Sequence, residues 1–158
     1  MRSLQWAFTT MCLIRAVACL SPDTAHARAL LSRTLLSDLL MLAACGCERY
    51  AAAPVSLAAF AVGAVCFVRT MNGQWALFSA GARTLSTPSD KVALAALRRM
   101  TTLTWLLFPL ARVLVLLGML GPCGEEVVFT AVDIAAKFGF STFLLVGAFS
   151  IARADHKG

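Results

Sequence analysis

A lysine and an aspartate lie close together in an apolar segment near the end of the chain. The segment reads Val132-Asp133-Ile134-Ala135-Ala136-Lys137, so on a helix the two charged side chains share one face, one turn apart. A lysine amine can react with a carbonyl ligand, and a neighbouring carboxylate can act as its counter-ion. For these residues alone two interpretations stay open: a ligand-bearing lysine, and an ion pair that only joins helices.

Three other apolar segments carry polar or aromatic residues at helical spacing. In the first, one helical face holds Arg2, Gln5, Trp6, Thr9, Thr10 and Leu13. In the second, one face holds Asp38, Met41 and Cys45, and in the fourth, one face holds Trp105, Phe108, Pro109 and Arg112. In lipid such faces turn inward, where they either connect helices or line a ligand site.

The composition indicates that lipid surrounds these segments. Of the 158 residues, 59% are apolar and 14% are charged, and the mean hydropathy is +0.79. Apolar segments run from about Leu4 to Leu20, Ala29 to Cys47, Val55 to Ala80, Val92 to Leu120 and Val127 to Ile151. Because a transmembrane helix needs about 20 residues, the chain has room for roughly five spans. We predict an all-α membrane protein with a single domain over residues 1–158.

The basic residues are distributed as expected for membrane flanks. The net charge is +6, but the 14 Lys and Arg are scattered and form no stripe with aromatic residues, so no nucleic-acid partner is expected. Most basic residues follow the first and third segments or end the chain: Arg28, Arg33, Arg83, Lys91, Arg98, Arg99, Arg153 and Lys157. The opposite side has Arg49, Glu125 and Glu126. This asymmetry predicts a multi-pass protein whose C-terminus is cytoplasmic.

Several side chains give further structural expectations. Five of the six cysteines lie in apolar runs and are expected to be buried, and the cysteines lack histidine partners at metal-binding spacing, so no metal site is expected. Ser89 or Asp90 is expected to cap the fourth helix. Arg69 lies well inside the third segment, and it either extends to the membrane surface or belongs to a polar conduction path with Asn72 and Gln74.

These motifs resemble microbial (type 1) rhodopsins in order and spacing. The run from Arg2 to Thr10 resembles the third helix of that family, Trp105-Leu106-Leu107-Phe108-Pro109 its sixth, and Asp133-Ile134-Ala135-Ala136-Lys137 its seventh. Asp38 and Met41 resemble the fourth helix. The resemblance covers the whole chain as helices three to seven of a seven-helix bundle, so we expect a domain that lacks the first two helices.

The resemblance implies all-trans retinal, attached to Lys137 through a protonated Schiff base. The other implied retinal contacts are Trp6, Thr9, Thr10, Leu13, Met41, Cys45, Trp105, Phe108, Pro109 and Ala136. Asp133 would be the counter-ion, within a proton network that also contains Gln5, Arg2, Asp38 and Glu125. A hydrogen bond between Thr10 and Asp38 is also implied.

Departures from the family pattern bear on function. Gln5 stands where proton pumps carry the carboxylate that accepts a proton, and Ala16 stands where they carry the proton donor. Arg112 replaces an aromatic residue, and its charge points to a subunit contact, to water at the extracellular end, or to colour tuning. We therefore predict a light-sensing photoreceptor that is not an enzyme. The alternatives are a light-gated ion channel or ion pump, and a non-photoactive helical scaffold or transporter fragment.

The expected partners follow from the same resemblance. They are the lipid bilayer, retinal, and either further copies of the chain or a fused or separate signalling module. Adding retinal to the protein distinguishes the photoreceptor from the scaffold, because only the former acquires colour.

Overall fold

Over the residues that the structure describes, the protein is all-α, with five helices as predicted. The computed structural model describes the backbone of residues 2–19 and 24–155, and within these ranges all side chains except those of 2–5, 7, 122 and 143–155. The helices are α1 (Arg2–Ala18), α2 (Ala25–Tyr50), α3 (Val55–Thr84), α4 (Pro88–Leu116) and α5 (Pro122–Asp155). They fall into two compact units, Met1–Ser86 and Thr87–Gly158.

The ends of α4 differ from the sequence expectation at both sides. Thr87, and neither Ser89 nor Asp90, is the N-cap, since its hydroxyl accepts from the amide of Asp90 and Pro88 occupies the first helical turn. The helix was expected to reach Leu120 but ends at Leu116. Gly118 has a φ of +71°, a left-handed conformation that glycine adopts readily and that terminates the helix.

Three of the helices are long and apolar enough to cross a membrane, counted over the described residues. These are α2, α3 and α4, with 26, 30 and 29 residues. Within α1, the apolar helix Phe8–Ala18 is shorter than such a span. Large apolar side chains are exposed along these helices, among them Leu40, Val65 and Leu106. Because lipid is the medium that such surfaces require, the protein is a multi-pass integral membrane protein.

In the first unit, α1 packs on α2 and α3 through a short apolar core. Ile14 and Val17 of α1 are almost completely buried. The antiparallel α2 and α3 approach closely at Gly73, where a Cβ atom would collide with the side chain of Thr34. At Gly63 a Cβ atom would meet Ala44 Cβ at 3.6 Å, an ordinary contact. The missing side chain at Gly73 therefore sets how closely the two helices pack.

In the second unit, α4 and α5 are antiparallel neighbours. Arg112 contacts Glu125 and Phe108 stacks on Phe129, so a step of four along α4 corresponds to a step of four backwards along α5. A Cβ atom on Gly139 would lie 2.9 Å from Met100 Sδ, which continues the same register. This register places Thr104, and next to it Trp105, near the level of Asp133.

The expectation that the five cysteines in apolar runs are buried is confirmed for Cys66 and wrong for the other four. Of the six, Cys66 is buried, whereas the others are exposed on the helix surfaces: Cys12, Cys19, Cys45, Cys47 and Cys123. A thiol is apolar enough to face lipid as readily as a protein core, so an apolar run does not distinguish these two environments.

Candidate functional site

The lysine and aspartate of α5 form a close ion pair. Lys137 Nζ donates to Asp133 Oδ2 at 2.5 Å, and the two side chains are 28% and 21% exposed. The pair is local, since one helical turn separates the residues. The arrangement presents a primary amine, the group to which a carbonyl ligand attaches, beside a carboxylate that can balance the positive charge of the protonated product.

The surroundings of Lys137 in α5 are small and apolar. Ala136 is buried, and Phe140 is buried one turn later on the same face. Gly139, two residues after Lys137, has no side chain, and the thioether of Met100 takes the space where one would lie. The missing side chain of Gly139 therefore lets α4 approach α5 closely at this turn.

Aromatic side chains of α4 lie on its α5-facing side. Trp105 is buried, with 5% of its surface exposed, and Phe108 stacks on Phe129 with ring centroids 6.0 Å apart. Pro109 has no amide hydrogen, so the carbonyl of Trp105 receives no helical hydrogen bond from that position. The helix is therefore weakened next to the tryptophan that the sequence identified.

Phe129 and Thr101 are residues of this unit that the sequence prediction missed. Phe129 lies one turn before Asp133, so the helical period could have identified it. Thr101 is buried one turn before Trp105, and its hydroxyl has no hydrogen-bond partner among the described residues. A buried polar atom in this state marks a place where a water or ligand atom would bind.

Arg112 and Glu125 pair with one another at the other end of this unit. Arg112 Nη1 lies 3.3 Å from Glu125 Oε1, and both side chains are mostly buried. The ion pair favours one of the three interpretations of Arg112. In that interpretation the side chain points to the end of the unit where α5 begins. Glu125 is twelve residues from Lys137 along α5, which corresponds to about 18 Å. Glu125 and Lys137 are therefore not brought together.

In the first unit, Thr10 connects α1 with Asp38 of α2. Its hydroxyl lies 2.7 Å from Asp38 Oδ2 and 2.8 Å from the carbonyl oxygen of Trp6. The hydrogen bond between helices that the sequence predicted is confirmed. Asp38 is 0% exposed, and its Oδ1 has no partner within the described part of the chain.

The remaining predicted residues of α1 lie beside this contact. Trp6, Thr9 and Leu13 are half-buried, and the hydroxyl of Thr9 also lies 3.3 Å from the Trp6 carbonyl oxygen. The face of α1 that packs inward therefore matches the predicted face only in part. The most buried side chains of α1 come later in the helix than the predicted residues. The side chains of Arg2 and Gln5 lie outside the described residues.

Met41 and Cys45 of α2 lie on the side that faces α3. A Cβ atom at Gly63 would be 3.8 Å from Cys45 Sγ and 3.9 Å from the carbonyl oxygen of Met41. Asp38, predicted on the same face, contacts α1 instead. The three residues therefore divide between two helix interfaces, and the roles of Met41 and Cys45 as retinal contacts stay predictions.

Comparison with known proteins identifies the type of fold and cofactor. The family model described as bacteriorhodopsin-like protein matches residues 1–151. This family binds retinal as its chromophore. No protein with a curated description gives a significant match.

Proposed function

Because the chain belongs to the bacteriorhodopsin-like family, a family of retinal-binding membrane proteins, we propose that Lys137 carries the retinal and that the protein is a light receptor. The observation that carries this proposal is the close pair of Lys137 and Asp133 within one turn of α5. When bound, retinal supplies light absorption and a double bond that isomerises. The donor set fits, since a primary amine is the group that condenses with an aldehyde, with loss of one water.

The chain's own residues have distinct parts in this proposal. Asp133 holds Lys137 Nζ in place and compensates its positive charge. Trp105, near the level of Asp133, restricts the space next to the amine, and the missing hydrogen bond at Pro109 makes this turn of α4 the easiest to move. A change in the shape of a ligand beside Trp105 would then displace this turn of α4.

We favour a sensory role over proton pumping. Gln5 is an amide and cannot take up a proton as a carboxylate does, and Ala16 has no titratable group. Asp133, the carboxylate next to the amine, is engaged with Lys137. These residues support a receptor that signals through its shape, without enzymatic activity of its own. Passive ion conduction is the competing function, because it also dispenses with both proton groups.

The orientation is part of the same proposal. Arg28, Arg33 and Arg83 lie on the side where α2 begins and α3 ends, so we place this side and the C-terminus in the cytoplasm. A signalling module, fused or separate, would contact the protein there. Further copies of the chain are the other candidate partner.

Reconstitution with all-trans retinal tests the chromophore site. The wild-type protein is expected to develop a visible absorption band, and Lys137→Arg is expected to lose it, since arginine keeps the charge beside Asp133 but forms no covalent link. Lys91→Arg, at the start of α4, is the matched control and should retain the band. A band that persists in Lys137→Arg, or that fails to form in the wild type, contradicts the proposal.

Photocurrents under voltage clamp separate the functions. A receptor gives a visible band and no sustained current under continuous light. With identical solutions on both sides, a sustained current at zero voltage would instead identify a pump. A current whose direction reverses with an imposed ion gradient would identify a channel.

A further inference from the structure

An open groove lies on the surface of the first unit, between α2 and α3. Its volume is about 300 Å³. Arg33 and Ser37 of α2 and Arg69 and Asn72 of α3 form its walls, and Thr34 and Gly73 form its floor. Arg33 and Ser37 are four positions apart on α2, and Arg69 and Asn72 are three positions apart on α3, so the wall residues of each helix share one face. The groove belongs wholly to this unit.

The floor of the groove is rigid. Gly73 approaches Thr34 so closely that no Cβ atom fits between them. The hydroxyl of Thr34 is used within its own helix, since it donates to the carbonyl oxygen of Leu30 at 2.8 Å. The backbones of two packed helices thus set the depth of the groove, and the site exists before any ligand binds.

The groove walls carry two positive charges and no carboxylate. The side chains of Arg33 and Arg69 are exposed, and no ion pair of either is found among the described residues. Asp38, the nearest acidic residue of α2, is completely buried against Thr10. Two guanidinium groups present planar sets of donors that match a phosphate, and the side chains of Ser37 and Asn72 add neutral donors.

The groove residues lie towards the first half of α2 and from the middle of α3 onwards. Arg33 is about 26 Å along α2 from Tyr50, the last residue of the helix, which is close to the thickness of the hydrocarbon layer. Trp75, one turn after Asn72, is 48% exposed, as is typical of tryptophans at the membrane surface. Gln74 is buried whereas Arg69 and Asn72 are exposed, so among the described side chains Arg69 and Gln74 do not share one polar path.

We propose that this groove binds a phosphate group, which an anionic phospholipid or inorganic phosphate can supply. The site lies in the half of the unit that contains the start of α2 and the end of α3, and it is independent of retinal attachment at Lys137. Basic pockets between helices at a membrane surface attract anionic headgroups, and each arginine contributes roughly a fivefold gain in binding. An occupant would link α2 to α3 at the membrane surface.

Native mass spectrometry of the full-length protein tests the proposal, with phosphatidylglycerol, phosphatidylcholine and inorganic phosphate as separate probes. The variant Arg33→Gln/Arg69→Gln is expected to lower phosphatidylglycerol binding roughly 20-fold relative to the wild type. Arg83→Gln, at the end of α3 but outside the groove, is the matched charge control and should bind as the wild type does. Asn72→Phe fills the groove without changing either arginine, and it should also lose binding.

The probes distinguish the source of the phosphate. Binding of phosphatidylglycerol without competition by inorganic phosphate identifies a lipid site, and competition identifies a site for the free anion as well. Equal loss in Arg83→Gln and in the double variant would overturn the proposal, since it would indicate diffuse surface charge. Retention of binding in Asn72→Phe, or no preference for phosphatidylglycerol or phosphate over phosphatidylcholine, would overturn it too.

Discussion

At the scale of single residues, the hydroxyl of Thr10 serves two acceptors. It lies within hydrogen-bond distance of the Trp6 carbonyl oxygen and of Asp38 Oδ2, but it has one hydrogen to donate. Asp38 is completely buried, so water cannot replace a lost partner. The stability of the contact between α1 and α2 therefore depends on this hydroxyl more than on any exposed one.

Replacing this hydroxyl is expected to destabilise the protein. Thr10→Val keeps the shape but leaves the buried carboxyl of Asp38 without its partner, and we expect a loss of about 1–3 kcal/mol in the free energy of unfolding. Denaturant unfolding in micelles, followed by circular dichroism, measures it. Ser32→Ala is the control, because its hydroxyl bonds the Arg28 carbonyl oxygen at an exposed site. Equal effects in the two variants would mean that Asp38 does not rely on Thr10.

At the scale of helices, the two glycines of the α2–α3 interface are not equivalent. The space at Gly73 is occupied by Thr34, a short β-branched side chain that cannot move far. At Gly63 the neighbours are at ordinary contact distance. Replacement by alanine is therefore expected to change the free energy of unfolding in opposite directions at the two positions. At Gly73 the cost of the steric clash outweighs the gain in helix propensity.

Alanine substitutions test this difference. Gly73→Ala forces the helices apart, and we expect it to lower the free energy of unfolding by about 1–3 kcal/mol. Gly63→Ala is expected to be neutral or to stabilise by up to about 1 kcal/mol, because alanine favours the helix. Unfolding of the two variants in the same detergent gives the comparison. A Gly73→Ala protein as stable as Gly63→Ala would show that α2 and α3 do not pack this closely.

At the scale of the whole molecule, the distribution of basic residues determines the orientation of the protein in the membrane. The exposed apolar surface determines that the chain lies in lipid. Exposed leucines and valines cover the long helices, so the chain must reside in lipid. Neither helix length nor helix order distinguishes the two sides of the membrane. The distribution of arginine and lysine does, since positively charged loops stay in the cytoplasm.

Three exposed native cysteines report this orientation. In proteins that retain one cysteine each, an impermeant maleimide added to intact cells is expected to label Cys47 and Cys123 but not Cys19, which lies on the predicted cytoplasmic side. A permeant maleimide should label all three and serves as the control. Labelling of Cys19 alone would invert the orientation. Labelling of all three in intact cells would contradict the predicted number of spans.

Much of the fold could be predicted because its signals are local. The five helices follow from runs of apolar residues, and the pair of Asp133 and Lys137 follows from the helical period. The contact between Thr10 and Asp38 came from the resemblance to the rhodopsins. The comparison with known families confirms that resemblance and the cofactor, whereas the role of each residue in binding retinal stays a prediction.

The sequence by itself determined that the chain is helical, apolar and equipped with an amine beside a carboxylate, since these properties depend on residue types and spacing along one helix. Only the tertiary structure decided that Arg112 pairs with Glu125, that Met100 fills the space at Gly139, and that Arg33 and Arg69 line one groove. The reason is physical. The rotation and register of neighbouring helices result from how their surfaces fit, and no period within one helix encodes that fit.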